Sequence, residues 1–325
     1  MVSFWLAVLA LSILLYVLLD GFDLGVGILF GFARAEERRR AMMESITPVW
    51  DGNETWLIVS GVVLWGAFPP AYATLLAGFY LPLIFMLAGL ILRGVAFEFR
   101  DRARHLRVVW DLAFCGGSLL AAFTQGVMVG ALVVGVPVSH GEYAGGDFSW
   151  LSPFAVLCGI GLCLGYCLLG ACWLVRKCDG ATQTWAYGLI ARLAFSLSVL
   201  LGVVFLQALA LNLRVLDRWL ERPYLFVFPV IGVVAALALA VGVRKRRLRV
   251  PGYAAAVIFT AAFATFAITF WPYIIPFSMT VAAAAAPHAS LSFMFWGEGL
   301  FILPLMLTYT LIGYRVFRSG PAVRW

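Results

Sequence analysis

The sequence predicts an all-α integral membrane protein: a bundle of about nine transmembrane helices, N-terminus outside (periplasmic) and C-terminus cytoplasmic. Composition is the first reason. Of 325 residues, 63% are hydrophobic and 12% charged, with a mean hydropathy of +0.98. A soluble domain is about 45–50% apolar and about 25% charged, so this chain cannot cover a water-facing surface, which excludes a soluble enzyme and a nucleic-acid reader. The second reason is a series of apolar runs of spanning length, and the third is the placement of the basic residues. No linker or polar block interrupts the series, and residues 1–325 read as a single membrane domain.

A spanning helix needs about 20 mostly apolar residues. Runs that meet this test lie at 3–32, 50–68, 71–98, 110–137, 152–176, 187–213, 224–243, 252–276 and 289–317. The second and third are divided only by Phe68-Pro69-Pro70. Paired prolines end one helix and can open the next; were they a kink and not a turn, the count would fall to eight. Charge decides for nine. Lys and Arg near span ends collect on the cytoplasmic side, and with nine spans twenty of the 23 basic residues share one face, leaving Arg214, Arg218 and Arg222 opposite. Eight spans would scatter them. The net charge of +7 is therefore a marker of topology and not of an anionic partner.

The first span is expected to be retained. It lacks a basic leader, is too long for the apolar stretch of a signal peptide, and carries Asp20 and Asp23 near its end. The run Ala282–Ala286 before Pro287 reads as an outer loop or short helix. Cys158, Cys163, Cys167 and Cys172 fall on span five, Cys115 on span four and Cys178 at a span end. Their spacing resembles neither a metal nor an iron–sulfur motif and suits small packing residues. His105, His140 and His288 all lie in or beside loops. A haem in a helix bundle usually takes an axial ligand from a span, so no haem or metal is expected in this chain itself.

Carboxylates inside spans carry the functional signal, because an ionisable residue there costs about 2.5–3.5 kcal/mol on insertion scales and calls for a partner or a role. Asp20 and Asp23 close span one, and Asp51 and Glu54 open span two. Each pair is three residues apart and so shares a helix face. Asp20 lies about 26 Å along a helix that starts outside, which puts it at the cytoplasmic side. Span two starts on that side, and span three ends there with Arg93 and Glu98. Five carboxylates and an arginine thus come to one depth, with Arg93 as the natural counter-ion. The bland alternative makes Asp51 a helix cap and the others surface ion pairs; a chain of acids running inward suits proton uptake better. Gly21, Gly25, Gly27 and Gly31 form interleaved GxxxG steps that allow close helix approach. Glu298, nine residues into the last span from outside, is a secondary candidate, functional or paired with another subunit. Trp50, Trp56, Trp65 and Trp296 read as packing or interface anchors.

Four motifs follow in order: Asp20 to Gly27 (DGFDLGVG), Trp50 to Trp56 (WDGNETW), Gly78-Phe79-Tyr80, and Arg93 to Arg100 (RGVAFEFR). Together they resemble subunit II of the cytochrome bd quinol oxidases. Similarity extends to Phe270-Trp271-Pro272 and to the tail from Pro304 to Phe317. The short loops and the Asn53-Glu54-Thr55 form of the second motif look most like the cyanide-insensitive branch.

The resemblance implies a bacterial inner-membrane complex that oxidises ubiquinol or menaquinol electrogenically and reduces O2 to water. In that family subunit I carries two b-type haems, haem d and the quinol site. Subunit II is haem-free, supplies scaffold, and contributes part of a cytoplasmic proton path and an O2 route. A small single-helix subunit and a structural quinone or lipid are further family possibilities. Carried over by motif, Asp20 or Asp23, Asp51 and Glu98 belong to the proton path, Arg93 is their charge partner and Trp56 lies near the O2 route. Glu98 stands where a member has Asp, and Glu54 where some have Gln. The rival is a stand-alone proton-coupled secondary transporter using the same acids, against which stands the lack of paired broken helices in two matching halves.

Overall fold

The computed structural model describes residues 1–100, 102–103, 105–139, 141–211 and 219–316, the side chains of 209 and 210 excepted. His140, Arg104, Arg214, Arg218, Arg318 and Arg324 lie outside the described residues. Among the described residues, eight helices are long and apolar enough to cross a membrane. They begin with α1 (Val2–Phe30), which is apolar all round, as a buried or lipid-embedded helix should be.

The short α2 (Glu36–Ile46) follows, then α3 (Trp50–Ala67), α4 (Pro69–Gly78), α5 (Tyr80–Arg100) and α6 (Arg107–Val134). A two-residue ribbon, β1 (Val138–Ser139) with β2 (Glu142–Tyr143), leads to α7 (Pro153–Lys177) and α8 (Gly180–Ala210). After α9 (Val227–Arg244) and α10 (Val250–Phe270) comes a second ribbon, β3 (Tyr273–Ile275) with β4 (Met279–Thr280). The chain ends in α11 (Val281–Ala284), α12 (His288–Met294) and α13 (Ile302–Val316).

Several expectations need correction. The helical membrane fold itself is as expected, with two small antiparallel ribbons added in the loops. The run at 71–98 is two helices, because Phe79 leaves helical geometry (φ −117°, ψ 20°) between α4 and α5. The run at 289–317 is interrupted by a π-helical turn at Phe295–Gly299. The helix α2 went unread in the sequence because its Glu36-Glu37-Arg38-Arg39-Arg40 opening reads only as a charged loop. The polyalanine run takes one of the two expected forms over its first three residues, which belong to the short helix α11 capped by Thr280, and the Ala286 amide beyond it donates to the Ala67 carbonyl. α3 has 18 residues and carries Asp51, Asn53 and Glu54 in its first turns, and it is not one of those eight helices.

The Phe68-Pro69-Pro70 junction reverses the chain. Phe68 leaves helical geometry (φ −135°, ψ 58°) and both prolines sit in the first turn of α4, where a missing amide hydrogen loses nothing. As a result Trp50, at the start of α3, stacks on Phe97, near the end of α5, with ring centroids 5.0 Å apart. The same face gathers other helix ends. Phe97 meets Phe114 of α6, Phe22 stacks on Trp173 of α7, and Tyr314 of α13 meets that same Trp173. Arg38 lies over Trp185 of α8, and Arg246 over Tyr187.

The glycine steps of α1 serve two neighbours. A Cβ on Gly25 would overlap the Tyr166 carbonyl of α7, and one on Gly170 would lie 2.6 Å from the Val26 amide, so these backbones touch only because both residues lack a side chain. Gly27 and Gly31 instead face Ser118 and Cys115 of α6. Cys163, Cys167, Cys172 and Cys178 are buried free thiols.

Candidate functional site

The packing of α1, α3, α5 and α7 brings together a polar strip that runs along one side of α1. Ser12, Tyr16, Asp20 and Asp23 recur at intervals of four, four and three residues, so they share a face. All four are buried. At its centre Arg93 of α5 projects between α1 and α3. Its Nη2 donates to Asp20 Oδ1 at 2.8 Å and to Glu54 Oε2 at 2.9 Å. Arg93 and Asp20 are both 0% exposed, whereas Glu54 is 29% exposed. The Arg93 guanidinium also lies 5.9 Å from the Trp50 ring centroid.

Asp23 has a different partner. Asn53 Nδ2 donates to Asp23 Oδ2 at 2.7 Å, and Tyr314 of α13 donates to Asn53 Oδ1 at 2.9 Å. Beside Asn53 and Tyr314 lies a cavity of about 220 Å³, also bounded by Val49, Gly52 and Tyr309. Its lining runs from Pro48, just before α3, to Val316 at the end of α13, near where the helix ends above meet. On the other side of Asp20, Gln125 of α6 donates to the Tyr16 hydroxyl at 2.7 Å, and the Tyr166 hydroxyl of α7 donates to Gln125 Oε1 at 2.9 Å. A turn further still, Ser60 donates to Ser12 at 2.9 Å. Asp20 Oδ2, Asp23 Oδ1 and Arg93 Nη1 are buried without a protein hydrogen-bond partner among the described residues.

Not every acid picked out in the sequence joins this cluster. Asp20, Asp23 and Glu54 do. Asp51 and Glu98 are exposed on the outer sides of α3 and α5, and Asp51 makes no capping hydrogen bond, which removes the bland reading of it as a cap. The reason is angular. On α3, Asn53 faces α1 and is 1% exposed, and Asp51, two residues earlier, lies about 200° round the helix. Trp56 is buried beside the strip at 1% exposure, its indole N–H without a partner among the described residues. Glu298 is exposed within the π-helical turn, beside exposed Trp296.

Sequence reading missed Asn53, Tyr314, Tyr16, Gln125 and Tyr166, whose residue types are ordinary in isolation; the four-residue step from Tyr16 to Asp20 was the one available sign. It also missed Asp111 of α6, which is 8% exposed. Arg100 Nε donates to Asp111 at 2.5 Å and Arg39 at 2.8 Å, while Arg100 also reaches Glu36 at 2.9 Å. This network ties α2, α5 and α6 together at the basic face. Of the histidines, His105 and His288 are exposed, and among the described residues no group of His, Cys, Asp and Glu is arranged to hold a metal ion.

Comparison with known proteins gives this arrangement its context. The model of the family described as cytochrome bd terminal oxidase subunit II matches residues 1–317. The Haemophilus influenzae protein named probable cytochrome oxidase subunit 2 is 30% identical, over 95% of this chain and 89% of its own length. Subunit 2 of the cytochrome bd-I ubiquinol oxidase of Escherichia coli is 29% identical, over 94% of this chain and 91% of its own. Subunit 2 of the Bacillus subtilis cytochrome bd ubiquinol oxidase is also 29% identical, over 97% and 95%. Among solved structures, the bd oxidase of Geobacillus thermodenitrificans shares the fold, with a TM-score of 0.77 at 17% identity over 98% of this chain and 99% of that one. The stand-alone transporter reading gains no support from these matches. With the motifs, the fold and an end-to-end family match in agreement, the chain belongs to the cytochrome bd terminal oxidase subunit II family.

Proposed function

We propose that this chain acts as one haem-free membrane domain in a bd-type quinol oxidase of the bacterial inner membrane, where it delivers cytoplasmic protons toward the site of O2 reduction. Its partner is subunit I, which in this reading carries the two b-type haems, haem d and the quinol site, with quinol and O2 reaching this chain only through the complex. Taking protons from one face makes the reaction electrogenic. The count of nine spans, with α3 added to the eight, and the assignment of the basic face to the cytoplasm belong to the same reading, because Lys and Arg collect on that side.

One observation carries the proposal: the 220 Å³ cavity ends on Tyr314 and Asn53, whose amide holds Asp23, which shares a helix face with Asp20. Two carboxyls, Asp20 and Glu54, bind one guanidinium, and Asp23, held by Asn53, follows Asp20 on the same helix face, so the cluster can hold and pass on protons while Arg93 balances the charge that remains. The unpartnered Asp20 Oδ2 and Asp23 Oδ1 have the acceptor capacity that a water-borne proton needs. Asp51 and Glu98 stand at the surface, where a path shared with subunit I would join. Trp56 is assigned to an apolar O2 route beside the strip.

The test is Asp23→Asn in the purified complex. The amide keeps the acceptor for Asn53 but carries no exchangeable carboxyl proton. Quinol-dependent O2 consumption is expected to fall about tenfold or more, in the range typical of a lost proton-transfer group, with normal haem content. Unchanged turnover at normal haem content refutes Asp23 as part of the path.

A further inference from the structure

A second cavity, of about 700 Å³, lies far from the acidic cluster, between α8, α9 and α10 with Leu168 of α7 at its back. α8 and α9 barely touch there, whereas α9 packs closely on α10, so the crevice lies open between α8 and α9. Its wall is almost wholly apolar, with Ala194, Leu197, Ala236 and Leu239 among the lining residues. The two hydroxyls that line it, Ser198 and Thr265, both donate to carbonyls of their own helices, at 2.8 and 2.7 Å.

Charge enters at one end only. Arg244, the last residue of α9, lines the crevice and opens the run Arg244-Lys245-Arg246-Arg247. Arg246 reaches across to the Tyr187 ring of α8 at 5.7 Å, which draws the basic loop over the mouth. Arg244, Lys245 and Arg247 form no salt bridge among the described residues.

We infer that this crevice is a binding site for one anionic phospholipid, with an acyl chain along α9 and the phosphate at Arg244. At about 700 Å³ the crevice is on the scale of a small-molecule site. From Phe228 to Arg244 the wall runs about 24 Å at 1.5 Å per residue, the reach of an extended fatty-acyl chain. A quinone ring would ask for a donor to each of its two carbonyls, on opposite edges of the ring; neither hydroxyl of the wall has a hydrogen to spare, which leaves Arg244 at one end as the only donor side chain of the lining. Lipid tails gain little over bulk lipid from an apolar wall, so selectivity comes from the headgroup, as in other basic pockets between spans. The inference needs only that the chain lies in a bilayer and is independent of the proton path.

The test uses the complete oxidase in nanodiscs of equal parts phosphatidylglycerol and phosphatidylcholine, extracted into detergent and weighed by native mass spectrometry. One retained phosphatidylglycerol per complex is expected. Arg244→Ala should lower its retention about fivefold, the effect of one basic residue near a headgroup. Ala236→Phe, which fills the crevice and leaves Arg244 in place, should abolish it. The haem spectrum and O2 consumption of both variants should match the parent and report assembly. Equal retention of the two lipids, retention unchanged in Ala236→Phe, or a quinone displaced by Ala236→Phe in place of a phospholipid each overturns the assignment. Should Arg244→Ala fail to assemble, the lipid preference of the parent and the Ala236→Phe result decide.

Discussion

Replacing Arg93 by Leu removes the cation that pairs with Asp20 and Glu54. Asp20, fully buried, then loses its hydrogen bond and its counter-charge together, while Glu54 keeps some access to solvent at 29% exposure. Breaking a buried pair by deleting one partner costs about 3–5 kcal/mol, since the remaining charge is stranded. The loss is to be measured by denaturing the purified complex in mixed detergent micelles and following tryptophan fluorescence. Adding Asp20→Asn to Arg93→Leu removes the stranded charge and should recover about 1–3 kcal/mol as a coupling energy. Arg93→Lys should keep most of the stability, because a single nitrogen, Nη2, makes both ionic bonds and a point charge can serve them. A loss below about 1 kcal/mol for Arg93→Leu, the range of an exposed pair, or no coupling with Asp20→Asn, refutes the view that these charges depend on one another.

Three further outcomes are expected. Asp51→Asn should leave the stability of the isolated chain nearly unchanged, since Asp51 is exposed and caps nothing, yet slow O2 consumption or weaken assembly with subunit I; normal turnover with normal haem content counts against its place on the path. Gly25→Ala should destabilise by about 1–3 kcal/mol through overpacking, as its Cβ meets the Tyr166 backbone, whereas Gly61→Ala, with open space around it, should be neutral or better; equal melting of the two variants would show that the α1–α7 contact is loose. Asp111→Asn should cost about 1.5–3 kcal/mol, the worth of hydrogen bonds to charged groups, because Arg100 and Arg39 share that carboxylate; limited proteolysis at the basic face is the readout, and unchanged cleavage of the α2 region argues against the network.

How legible the site was varied with the kind of signal. Hydropathy is local and additive, so composition and apolar runs identify a helical membrane protein whichever way the helices turn. The paired prolines at Pro69 and Pro70 announce a chain break for an equally local reason. Spacing alone placed Asp20 and Asp23 on one face, and the depth argument brought Arg93 to them. The four motifs carried the family.

What the sequence could not decide was azimuth. Asp51, Asn53 and Glu54 stand within four consecutive positions, yet Glu54 binds Arg93, Asn53 binds Asp23, and Asp51 turns outward. These choices depend on how three helices rotate against one another, which the glycines of α1 and α7 fix by letting two backbones touch. The Tyr16–Gln125–Tyr166 relay has the same origin, with one residue from each of three helices. The sequence by itself determined the solvent this protein lives in and the depth of its charges, because both follow from residues counted along the chain. Only the tertiary structure decided which charges meet, because a buried ion pair is set by distances of about 3 Å between helices that have no sequence relation to one another.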